Sequence, residues 1–103
     1  MNIYQVTRTT LTEYDFDMYS GFICFAQNEE QAKNLDPSFP EISHPNFSEA
    51  LNIKSFNQFI DWENDISCCK YSWVDSINDL IVTKLGTSES EQVGIILSSY
   101  HSG

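Results

Sequence analysis

The sequence predicts a small α+β domain: a four-stranded antiparallel sheet in the order β-β-α-insertion-β-β, with the helix packed on one face. Three observations carry this expectation. Two strand-like runs open the chain and two close it. One strongly capped helical start follows the second run. Strand and helix do not alternate as they would in a parallel sheet, so hairpin-linked strands covered on one side are the natural architecture. At 103 residues the chain suffices for one modest core and no second one, giving a single domain over 1–103.

The first run, NIYQVTR, alternates Ile3, Gln5 and Thr7 with Tyr4, Val6 and Arg8 and is rich in β-branched and aromatic residues. TTLTEYDFDMYSG follows, with Glu13, Asp15 and Asp17 interleaved with Tyr14, Phe16 and Met18. Three carboxylates on one side of the alternation favour a long exposed hairpin connection over a continued strand. YSGFICFAQ is the second strand, apolar enough from Phe22 to Ala26 to lie centrally.

NEEQAKNL then starts a helix. Asn28 is its cap, Glu29 and Glu30 sit in the first turn where the macrodipole favours anions, and Lys33 lies toward the end. Ala32 and Leu35 face the core, and DPSFP stops the helix because Pro37 disfavours helical geometry at Asp36.

Residues 36 to 72 read as an irregular or short-helical insertion that holds all three prolines, Pro37, Pro40 and Pro45. Two short helices are expected there. One is EALNI capped by Ser48, and the other is NQFIDWE capped by Ser55, with Phe56, Phe59 and Ile60 on one face and Glu63 continuing it. Long irregular insertions are a frequent seat of function. NDLIVTKLG is the third strand, with Leu80, Val82 and Lys84 on one face and Ile81, Thr83 and Leu85 on the other. Gly86 turns the chain, TSESEQ is a polar connection, and VGIILSSYH is the last strand.

The charge restricts partners. Five Lys and Arg against fifteen Asp and Glu leave −10. That opposes direct contact with nucleic acid, which needs clustered Lys and Arg, and with anionic membrane. It suits either plain solubility or attraction to a basic protein surface. The start MNIYQVTRTT lacks the basic-then-apolar pattern of a signal peptide, and no window reaches the about 18 apolar residues of a membrane span. A cytoplasmic protein is therefore expected. Cys24, Cys68 and Cys69 are odd in number and form no C-x-x-C, so reduced thiols are expected, with no metal and no cofactor.

Three groups invite chemistry. Ser99 and His101 lie two apart on the last strand and point the same way, but no nucleophile elbow or third group accompanies them, so a solvent-facing row explains them. Glu13, Asp15 and Asp17 lack the glycine and closing glutamate of an EF-hand. Asp61, Glu63 and Asp65 surround Trp62 without the convergent polar groups of a carboxylate enzyme. Both acidic clusters carry large aromatics: Tyr14, Phe16 and Tyr19 in one, Phe59 and Trp62 in the other. These rings either fill the core or anchor a partner whose Arg and Lys meet the carboxylates. Glu13, Tyr14, Asp15, Asp17, Asp61, Trp62, Glu63 and Asp65 are thus the candidate partner-binding residues.

IYQVTR, FICFAQNEEQAKNL, the W…DLIVTKLG segment and the closing GIILSSYHSG together resemble small uncharacterised proteins of phages and bacterial mobile elements. Those proteins open on a similar strand, carry a NEEEA-type helix start and end on a GVILASFNAG-like strand. The likeness covers about half of the chain, at its two ends, and its motifs are structural. It implies a short accessory protein of a mobile element, a setting in which small acidic proteins inhibit CRISPR effectors or restriction enzymes. The expectation that follows is a non-enzymatic, anti-CRISPR-like inhibitor whose partner is a defence effector with a basic surface. The alternative is a structural or self-associating module, including a homodimer paired through exposed strand edges. A small carboxylate enzyme ranks third.

Overall fold

A computed structural model describes residues 1–9, 18–53, 57–63, 73–74 and 76–101. Four strands, β1 (Asn2–Arg8), β2 (Met18–Ala26), β3 (Leu80–Thr87) and β4 (Gly94–His101), form one antiparallel sheet in the order β3-β1-β2-β4. The predicted α+β architecture is observed, with two short helices, α1 (Glu29–Lys33) and α2 (Phe47–Leu51). A 3-10 turn, Ile77–Asp79, leads into β3 and is capped by the Ser76 hydroxyl, which accepts from the Asn78 amide at 3.1 Å.

The period-two pattern sorts the strand residues into two faces. Tyr4, Val6, Phe22, Cys24, Ala26, Leu80 and Ile95 are buried on the inner face, where Ala32, Leu35, Trp73 and Val74 cover them. The Phe22 and Trp73 ring centroids lie 5.7 Å apart at 45°, a tilted aromatic pair at the centre of this core. On the outer face the register aligns cross-strand rows, Ile81–Thr7–Gly21–Ser99 and Thr83–Gln5–Ile23–Leu97.

Two register shifts between β2 and β4 and one between β1 and β3 interrupt the ladders. The shift at Tyr19/Gly21 places Ser20 as an extra residue, and Tyr19 turns inward onto the core beside Tyr100, at 4.8 Å between ring centroids. Gly21 is dictated by this crowding. A Cβ there would lie 2.7 Å from the Val6 carbonyl oxygen and 3.2 Å from a Thr7 methyl.

The insertion departs from expectation in two places. The first of its expected helices exists, but Asn46 takes the cap position and Ser48 lies inside α2. Phe47 and Ala50 face inward together, which fixes the start of the helix two residues earlier than expected. The second expected helix does not form over the described residues 57–63. Phe59 instead bridges Leu35 in a single antiparallel contact, followed by a turn. The backbone of this segment bonds to α1's exit, so packing overrides the weak helical pattern. Ser55 and Phe56 lie outside the described residues.

Phe39, Phe47, Ala50 and Ile42 form a second, smaller cluster, in which the Phe39 and Phe47 rings meet edge to face. Ile42 and Phe47 lie against Gly94. The Ile42 amide donates to the Ile95 carbonyl at 2.8 Å, and a Glu41 carboxylate oxygen accepts from the Ser98 amide at 3.3 Å. The insertion thereby occupies part of the β4 edge, which restricts the edge-to-edge pairing considered above.

Candidate functional site

The site begins with α1. The Asn28 side chain accepts from the Gln31 amide at 2.8 Å, and Gln31 Oε1 reaches back to the Gln27 amide at 2.7 Å. Together these satisfy donors that a five-residue helix would otherwise leave open. The capping fixes Glu29 and Glu30 on the exposed side of the first turn while Ala32 is buried.

At the other end of α1, Asn34 anchors the segment 57–63. Its carbonyl accepts from the Ile60 amide at 2.7 Å, and its Oδ1 accepts from Trp62 Nε1 at 2.7 Å. The Asp36 amide donates to the Gln58 carbonyl at 2.8 Å. The acidic turn is then held locally: Asp61 Oδ1 accepts from the Glu63 amide at 3.2 Å, an Asx-type turn. Between α1 and this segment lies an open depression of about 390 Å³, lined by Asn28, Glu30, Gln31, Asn34, Phe59 and Ile60.

Asp61 and Glu63 are exposed on either side of Trp62. Trp62 and Phe59 are half-buried and pack against the main core. The two readings of these rings therefore meet in one residue pair: each supports the fold with one side and keeps another side open. Glu13, Tyr14, Asp15, Asp17 and Asp65 lie outside the described residues.

Glu29, Glu30 and Asn34 are the residues that sequence reasoning missed as parts of a surface. The two glutamates read only as partners of the helix dipole, and no local signal pairs Asn34 with a tryptophan 28 positions later. The result is a chain fold that brings Glu30 and the Asp61–Glu63 turn to neighbouring elements.

The charge partition is sharper than the total. None of the four strands contains an Asp or Glu, so all fifteen carboxylates lie in the connections. Most of those described are exposed, including Glu29, Glu30, Glu49, Asp61, Glu63, Asp79, Glu89 and Glu91. Such groups attract a basic surface and are screened by salt.

Nucleophilic chemistry finds little support in the one described cysteine. Cys24 is fully buried, and burial pushes its thiol up to about 12, against a smaller opposing effect from its backbone hydrogen bond with Tyr4. It is not a thiolate at neutral pH. Ser99 is exposed beside Gly21 on the outer face. Among the described residues no three His, Cys, Asp or Glu converge as a metal site, and no helix is long and apolar enough to cross a membrane. In comparisons with known proteins, no family model matches the chain, and neither does any curated protein or solved structure.

Proposed function

We propose that this protein is a non-enzymatic inhibitor that binds a bacterial nucleic-acid-targeting defence complex, of the anti-CRISPR type. The observation that supports the reading is the segregation of every carboxylate into the connections, with Asp61 and Glu63 exposed around a half-buried tryptophan. A channel that holds phosphates presents Lys and Arg at close spacing. Carboxylates on a rigid turn compete for those cations, and the open side of Trp62 adds short-range affinity.

The test is inhibition of purified defence effectors by the protein and by two charge-reversed variants. Asp61→Lys/Glu63→Lys alters the proposed surface, and Glu89→Lys/Glu91→Lys alters the loop before β4 by the same charge. The first is expected to weaken inhibition by about tenfold more than the second, and binding of the parent is expected to loosen with salt. Equal inhibition by both folded variants across a salt series would reduce the acidity to a solubility device.

A further inference from the structure

The outer strands of an open sheet present backbone donors and acceptors to any other strand. Here they are β3 and β4, and they differ in charge. β3 carries Lys84, which is exposed, and a lysine on an edge blunts its pairing. β4, GIILSSYH, carries no Asp, Glu, Lys or Arg. Its Leu97 is 59% and its Tyr100 48% exposed. By composition β4 is the edge more open to another strand.

A strap of two residues lies along it. The Ile42 amide donates to the Ile95 carbonyl at 2.8 Å, as a neighbouring strand would. Glu41 continues the pairing with its side chain: Oε2 accepts from the Ser98 amide at 3.3 Å, where a strand would offer a carbonyl. The chain then turns away, since the His44 amide closes back on the Glu41 carbonyl at 2.9 Å. Ile42 seats the strap against Gly94. A Cβ at that position would lie 2.7 Å from Ile42 Cγ1 and 3.0 Å from its Cδ1, so closure needs the glycine.

We propose that this strap is an autoinhibitory cover. Closed, it keeps the chain monomeric; lifted, it frees β4 to pair with β4 of a second copy. The closure is light. One backbone bond, one side-chain bond and the seat of Ile42 hold it, and the net worth of each bond is small, so the strap opens far more readily than the sheet. The occupant follows from β4 itself. Two copies of one strand related by a two-fold axis run antiparallel, as every pair in this sheet does, and β4 sets no charge opposite its like. The inference uses neither Asp61 nor Glu63 and stands independently of the proposed function.

Amide hydrogen exchange and sedimentation velocity test it on the full chain. Glu41→Ala and Glu41→Gln remove the same charge, and only the second leaves an oxygen for the Ser98 amide. Exchange at Ser98 is expected to rise about tenfold in Glu41→Ala and to stay near the parent's rate in Glu41→Gln. Ile42→Pro deletes the other donor. Glu41→Ala/Ile42→Pro is expected to dimerise with a dissociation constant at least about tenfold below the parent's, and to gain protection at the β4 amides as it does so. Glu41→Ala/Gly94→Ala lifts the strap from the strand's side and keeps the test decisive should the proline disturb the fold. Folded variants that free the Ser98 amide and stay monomeric overturn the proposal. So do equal Ser98 exchange in Glu41→Ala and Glu41→Gln, a parent that dimerises as tightly as the opened variants, and a dimer whose β4 amides are no better protected than the monomer's.

Discussion

The strands and the connections of this protein divide its labour unequally. The strands hold no carboxylate, and the connections hold all fifteen. Yet the connections also supply much of the buried core: Ala32, Leu35, Trp73 and Val74 lie over the sheet, and Phe39, Phe47 and Ala50 build the second cluster. The reason is geometric. A five-residue helix such as α1 is only about 7.5 Å long and cannot cover four strands. Irregular segments must finish the cover, so their residues alternate between deep burial and full solvation within a few positions. Connections here are both the lid of the core and the charged surface.

The sharpest way to break this comparison is Trp73→Ala. Trp73 is 2% exposed although it belongs to no strand or helix. If connection residues close the core, its loss costs about 4 kcal/mol, enough to unfold much of a domain this size. Chemical denaturation with far-UV circular dichroism measures it. Its Nε1 finds no hydrogen-bond partner among the described residues, so Trp73→Phe sacrifices volume but no bond and is expected to cost less than half as much. A Trp73→Ala variant of near-parental stability would mean that the sheet is stabilised without its cover.

Within the strands, two glycines sharpen the contrast. Gly21→Ala forces a methyl group to within 2.7 Å of a backbone oxygen in the neighbouring strand, which cannot rotate away. About 2 kcal/mol is expected to be lost. Gly86→Ala meets nothing within 4 Å and is expected to stay within about 0.5 kcal/mol of the parent. Thermal melts of the two side by side separate a packing requirement from a general dislike of alanine in strands.

The smallest effect at ordinary pH comes from Cys24, a strand residue with no charged neighbour to report. Burial raises its folded-state pKa from 9.0 to about 12. The group is neutral in both states below pH 9, so its full contribution is present there. Above pH 9 the unfolded thiol ionises and the folded one does not. The unfolded state then binds fewer protons, and stability falls by about 1.4 kcal/mol per pH unit until the folded pKa is approached. Cys24→Ala is expected to flatten that limb of the stability profile between pH 9 and 11, and the native thiol is expected to resist disulfide exchange until the protein is denatured.

Strand positions were legible because their signal is local. The alternation of Tyr4 and Val6 with Gln5 and Thr7, and of Leu80 and Val82 with Ile81 and Thr83, assigns residues to opposite faces without knowledge of neighbours. The Asn28 cap was legible for the same reason, since donor and acceptor lie three residues apart. The candidate site was legible only in its types. Asp61, Trp62 and Glu63 stand out as an acidic turn with an aromatic, but their pattern also fits a helix, and the helix did not form.

By itself, then, the sequence determined the strands, their antiparallel class, the helix start at Asn28 and the excess of negative charge. Each follows from short-range sterics, period-two alternation or composition. Tertiary structure alone decided the order β3-β1-β2-β4, the docking of Ile60 and Trp62 onto Asn34, and the capture of the β4 edge by Glu41 and Ile42. It also decided which sheet face would be covered and which left bare. Those outcomes depend on contacts between residues tens of positions apart, where each backbone donor has several acceptors within the chain's reach. Only the simultaneous satisfaction of core packing and hydrogen bonding selects among them.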